Sequence, residues 1–159
     1  MTRRIATLCA SLAFAALLAL TATQASADSD DGIVRVKSAV PMQEAIVRVK
    51  ADIAAKGIKF FSEIDQSKLA ADAGIKLRPS TLLVFGNPAL GAQFITSNPQ
   101  AGLDWPVRLL VQEDEKGQVW ATYTDFAWIA QRHHITDRDA AFKMASNVIA
   151  SITSSVAAK

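Results

Sequence analysis

The densest run-and-turn patterning in the chain lies between Thr81 and Asp125, which reads TLLVFGNPALGAQFITSNPQAGLDWPVRLLVQEDEKGQVWATYTD. Thr81 to Phe85 is apolar throughout, which predicts a central strand covered on at least one face. Gly86-Asn87-Pro88 ends that strand, with Asn87 placed to cap and Pro88 to open a short helix toward Ile95. Ser97 to Gly102 reads as loop. Val107 to Gln112 and Gln118 to Thr124 then predict a hairpin across the charged turn Glu113-Asp114-Glu115-Lys116-Gly117.

Upstream, Val34 and Val36 alternate with Arg35 and Lys37, the period-two pattern of a strand. Pro41 suits the first turn of a helix. Met42, Ile46, Val49 and Ile53 follow at helical spacing, and Gly57 is the stop. Ile58 to Asp65 returns as a strand with Phe60 and Ile64 expected on one face, and a short helix from Ser67 to Ala73 closes at Gly74. Downstream, a short helix spans Phe126 to Arg132. Thr136 and Asp139 resemble a capping box with Asp in place of Glu. The last helix carries Phe142, Ala145, Val148, Ile149, Ile152 and Val156 on one side. Two amphipathic helices need an apolar face, and an antiparallel sheet supplies one. The expected fold is therefore a two-layer α+β domain over residues 33–156. It has about five antiparallel strands in the order β-α-β-β-β-β-α, with both long helices on one face.

Composition changes this picture mainly at the N-terminus. Arg3 and Arg4, an apolar run from Ile5 to Leu20 and Ala25-Ser26-Ala27 read as a signal peptide over residues 1–27, cleaved after Ala27. The run is short for a membrane anchor. Leu8, where a small residue would precede a lipidated Cys9, argues against a lipoprotein. The chain holds 17 Lys+Arg against 15 Asp+Glu, a net charge of +2. Losing Arg3 and Arg4 leaves a formally neutral mature chain. There is thus no bulk electrostatic case for nucleic acid or an anionic membrane, and little colloidal repulsion against self-association. Cys9 is the only cysteine, so the mature protein has no disulfide and no thiol chemistry. The expected location is periplasmic or secreted, and the expected assembly a homodimer formed through a sheet edge.

The ordered set R-P-x-x-L-L-x-F-G-N-P-x-L-G, L-D-x-P-x-R, E-D-x-x-G-x-V-W and R-H, between Arg78 and His133, resembles the domain-of-unknown-function family DUF302. The resemblance spans roughly Ile33 to Ile152. It implies an α+β fold of strand, helix, four strands and helix, similar to one TATA-binding-protein repeat, and it implies no catalysis. Two departures stand out. Gln66 occupies a position where many members have His, and Arg132-His133-His134 stands where members often read R-H-G.

Candidate chemistry is sparse. His133 and His134 are the only histidines, adjacent and therefore about 100° apart on a helix, with no cysteine and no H-x-x-H spacing to support a metal. No metal or cofactor is expected. Helix packing is the reading for His133, solvent exposure for His134. Asn87 and Pro88 could aim free backbone N–H groups at an anion, or simply cap the turn. Trp105, Arg108, Trp120, Tyr123, Asp125 and Trp128 could line a pocket between sheet and helices, or form core or interface. Glu113, Asp114 and Glu115 read as a solvated turn. Ser67, Ser80 and Ser97 have no sequence context for a nucleophile. The expectation is a non-enzymatic binding or interaction module for a small anionic or polar ligand, at a site near Asn87, Arg108, Tyr123, Asp125, Arg132 and His133. The alternatives are a metal- or haem-binding stress protein using His133 and His134, or a cofactor-independent enzyme.

Overall fold

The structure is a computed structural model that describes residues 31–157. The expected signal peptide over residues 1–27 lies outside them. Five strands form one antiparallel sheet: β1 (Ile33–Lys37), β2 (Lys59–Asp65), β3 (Ser80–Gly86), β4 (Val107–Glu113) and β5 (Val119–Thr124). Their order across the sheet is β1-β5-β4-β3-β2, so β1 and β2 are the edges. The two long helices are α1 (Met42–Ala55), between β1 and β2, and α5 (Asp139–Ser154), at the end. Three shorter helices fill the connections: α2 (Gln66–Asp72), α3 (Pro88–Ser97) and α4 (Phe126–Arg132). A 3₁₀ turn, Pro99–Leu103, follows α3 where a plain loop was expected. The α+β class is as expected, and the element order is longer than the seven-element string.

Register explains the burial. Thr81, Val111, Ala121 and Val36 lie side by side across four strands, and Leu83, Leu109, Tyr123 and Val34 form the next row. Leu83, Leu109 and Val111 are fully buried. They join Ala45, Ile46, Val49 and Ile53 of α1 and Phe142, Ala145, Ile149 and Ile152 of α5 in one core. On the other face the row is Arg35, Thr122, Leu110, Leu82 and Ile64, half-buried to exposed.

Local details correct three expectations. Phe60 and Ile64 do not share a face. A bulge between Phe60 and Ser62 inserts one residue, so Phe60 pairs with Phe85 on the core side while Ile64 pairs with Leu82 on the open side. The capping box does not form: α5 starts at Asp139 after Arg138, whose side chain makes no cap bond, and Thr136 stands clear of the helix. Pro41 is the cap residue of α1 rather than its first helical residue. Three helices end alike, on a residue with positive φ. These are Gly57 at 64°, Gly74 at 74° and His134 at 52°. In each, the next residue's N–H donates to a carbonyl five positions back: Ile58 to Ile53, Ile75 to Ala70 and Ile135 to Ala130.

Candidate functional site

At the end of the sheet where β4 starts and β5 finishes, one buried carboxylate gathers three basic side chains. Asp104, 8% exposed, sits between the 3₁₀ turn and β4. Its Oδ2 lies 2.6 Å from Nε2 of His133, itself 5% exposed. Arg108 Nη2 donates to Asp104 Oδ1 at 3.2 Å and to the Leu103 carbonyl at 2.7 Å. Arg132 Nη1 donates to Oδ1 at 3.3 Å and lies 3.2 Å from Oδ2. Burying a lone carboxylate is costly, and this one is satisfied from every side. The two guanidiniums remain about half exposed, at 51% for Arg108 and 45% for Arg132. Arg132 is further held over the Trp128 ring, 5.4 Å from its centroid.

The surrounding chain fixes this cluster through caps. Asn98 caps the 3₁₀ turn by accepting from Gln100 N–H, and its amide donates to the His133 carbonyl at 2.8 Å. Asp125 caps the start of α4 by accepting from Ala127 N–H, and left-handed His134 closes the helix just past Arg132 and His133.

Of the six residues expected at a site, Arg108, Arg132 and His133 therefore meet on Asp104. The other three do not join them. Asn87 Oδ1 accepts from Ala89 and Leu90 N–H, so the first donors of α3 are already satisfied by its own cap. Asp125 is likewise spent as a cap. Tyr123 lies against Thr153 of α5. Burial and the Asp125 charge push its phenol up, and the Thr153 hydroxyl partly offsets this. Asp104 was the residue missed. The L-D-x-P-x-R motif contained it, and a carboxylate four residues before an arginine at a strand start was the available signal.

The remaining candidates have structural duties. His134 is exposed on a groove between α4 and α5, turned away from the buried His133. Among the described residues, no three His, Cys, Asp or Glu side chains converge as metal ligands. Asp114 accepts from Trp120 Nε1 at 2.9 Å and from Lys116 and Gln118 N–H, and these bonds, the indole's first, hold its carboxyl below the ordinary value. Ser67 donates to Asp65, Ser80 to Gln66 and Ser97 to Asp137.

A cleft of about 630 Å³ opens on the other side of Val107 and Phe126, between α5 and the β3–α3 corner. Asn87 and Trp105 line it; Arg108, Tyr123, Asp125, Arg132 and His133 do not. Trp105 lies flat on the corner because Gly91 has no side chain. A Cβ there would fall 2.1 Å from the indole.

Comparison with known proteins places this architecture. Residues 34–152 match the family described as "Domain of unknown function DUF302". The chain belongs to the DUF302 family. The crystal structure of an uncharacterized conserved DUF302 protein from Bacillus stearothermophilus superposes with a TM-score of 0.72, covering 79% of this chain and 98% of that one. At 15% identity the likeness is one of fold. The chain is also 41% identical over 106 residues to fluoride-specific ion channel FluC 1 of Brucella suis and to FluC 2 of Brucella melitensis. It spans only 42% and 39% of those proteins' lengths.

Within this DUF302 chain the two departures from the family pattern now have local accounts. Gln66 accepts a hydrogen bond from the Ser80 hydroxyl at 2.8 Å, tying the start of α2 to β3. His134, where members often have Gly, occupies the left-handed region that favours glycine.

Proposed function

We propose that this DUF302 domain is an exported, non-enzymatic module that binds a small oxyanion across Arg108 and Arg132. The observation that supports it is the sharing of one buried carboxylate by two half-exposed guanidiniums. Asp104 takes one edge of each fork, which orients the side chains and lowers the entropic cost of holding them. Unused N–H donors remain on both. Two cations against one carboxylate leave an excess of positive charge where solvent can reach it. Planar forks suit carboxylate, phosphate or sulfate in paired hydrogen bonds. The site differs from a helix N-terminus, since Asn87 already occupies the donors of α3.

The Brucella relatives add fluoride, which is not an oxyanion, as an anion to test beside these. Their names concern fluoride transport, and among the described residues of this chain no helix is long and apolar enough to cross a membrane. The shared stretch, on this reading, is an accessory that senses or holds an anion rather than the conducting part. Export rests on the sequence pattern ending at Ala27. N-terminal sequencing of the mature protein should begin at Asp28, and an intact Met1 in the membrane fraction would refute it.

Calorimetric titration of tag-free protein with phosphate, sulfate, formate and fluoride tests the site. One anion should bind saturably at one equivalent. Arg108→Ala and Arg132→Ala should each weaken it about tenfold or more, as loss of a charge-assisted bond implies. Asp104→Asn, which releases both forks, should also weaken it, with melting curves checking that each variant is folded. Tight one-equivalent binding of zinc or copper, lost in His133→Ala and His134→Ala, would instead favour a metal protein.

A further inference from the structure

We infer that the cleft between α5 and the β3–α3 corner is a second binding site, independent of the arginine pair, for a small amphipathic monoanion. The apolar body sits inside and a carboxylate-type head at the rim. The cleft reaches the core: Phe85, Phe94 and Ile149, each 2% exposed, form its floor. Its volume of about 630 Å³ falls within the ~300–1,000 Å³ typical of small-molecule sites. Apolar walls of this extent favour an occupant that removes them from water.

The polar groups decide the charge of that occupant. Lys56, Asn87, Lys143, Asn147 and Ser151 line the cleft, and no Asp or Glu does. Lys56 is engaged by Asp52 at 2.9 Å. Lys143 is exposed and has no ion-pair partner among the described residues. One free cation beside an apolar chamber matches one negative charge on an apolar body, and repels a cationic amphiphile. Trp105 adds a fixed wall to the cleft, its ring packed against Gly86 and Gly91.

The source we assign is a free monomeric ligand rather than a bilayer lipid, because the floor is a recess between helices and not an outward apolar face. The probes are decanoate, decanol and decyltrimethylammonium, titrated into tag-free mature protein by calorimetry and tryptophan fluorescence. Decanoate should bind at one equivalent, about tenfold or more tighter than the ammonium. Lys143→Ala should weaken decanoate about two- to fivefold, the scale of an exposed ion pair, and leave decanol unchanged. Lys143→Glu should weaken decanoate further. Val148→Trp should block the cleft, and Met144→Trp, at a rim position 58% exposed, serves if the first variant does not fold. Arg108→Ala should leave decanoate binding intact, which separates this site from the oxyanion site. Equal affinity for decanoate and the ammonium, or decanoate binding unchanged by Lys143→Glu and by the blocking variant, would overturn the inference. So would co-sedimentation with phosphatidylglycerol vesicles without binding of free decanoate, or displacement of decanoate by self-association at rising protein concentration.

Discussion

At the scale of single residues, the chain shows where family pattern and local physics part. His134 sits at φ 52°, in a conformation that brings a β-carbon close to its own backbone. The two other helix stops of the same kind, Gly57 and Gly74, avoid that strain. Changing His134 to Gly removes about 1 kcal/mol of strain but gives the unfolded chain more freedom, worth about 0.4–1 kcal/mol. The expected result is a small gain, up to about 0.5 kcal/mol, read as a higher urea midpoint at constant slope. His134→Ala, which keeps the β-carbon, should give no gain. A loss in the glycine variant would mean that the imidazole makes a stabilising contact. His133, next in line, could not be exchanged so freely, because its ring is buried against Asp104 and its carbonyl receives Asn98.

At the scale of elements, what was legible follows from which forces act locally. Period-two and period-3.6 patterns are set by burial on one face. β3, β4, β5, α1 and α4 accordingly lie within a residue or so of where the apolar positions put them. The bulge in β2 was not legible, because an inserted residue leaves the composition of the strand unchanged while exchanging faces beyond it. The Asp104 cluster was half legible. Arg108, Arg132 and His133 could be suspected from their chemistry, but they meet only because β4, the 3₁₀ turn and α4 converge in space, over sequence separations of up to 29 residues. Asn87 and Asp125 show the opposite case, since caps are local and their motifs carry no information about a ligand. β3 gives the element-scale prediction. Phe85 is 2% exposed, pairs with Phe60 and Val107, and floors the cleft. Phe85→Ala should cost about 3–5 kcal/mol in denaturant unfolding. Because the new space opens onto an existing cleft that water or a ligand can enter, the lower end of that range is expected in the presence of decanoate. A cost below about 1 kcal/mol would mean that β3 is not the centre of the core.

At the scale of the whole molecule, an open sheet leaves two edges, and they are not equivalent. β1 is short, carries Arg35 and Lys37, and is tied at its end by Ala39 N–H to the Val156 carbonyl and by a bridge from Ser38 to Ala157. Charged side chains blunt an edge against further pairing. β2 is charged as well, through Lys59, Glu63 and Asp65, but unlike β1 it also exposes Phe61 at 40% and Ile64 at 36%, with its outer backbone groups unpaired among the described residues. The bulge after Phe60 confines regular pairing to Ser62 through Asp65, so a contact along β2 would be short and would depend on those apolar neighbours. With residues 1–27 removed the chain is formally neutral, and charge repulsion does not oppose a close approach of two copies. The expected assembly is therefore a two-fold dimer through β2, the symmetry in which one patch meets itself. Sedimentation of the chain without residues 1–27 at micromolar concentration should show dimer. Ile64→Lys, on the open face and without a core partner to lose, should shift it to monomer with little change in melting temperature. Monomer alone for the unaltered protein would remove the dimer, and a dimer insensitive to Ile64→Lys would move the interface to another surface.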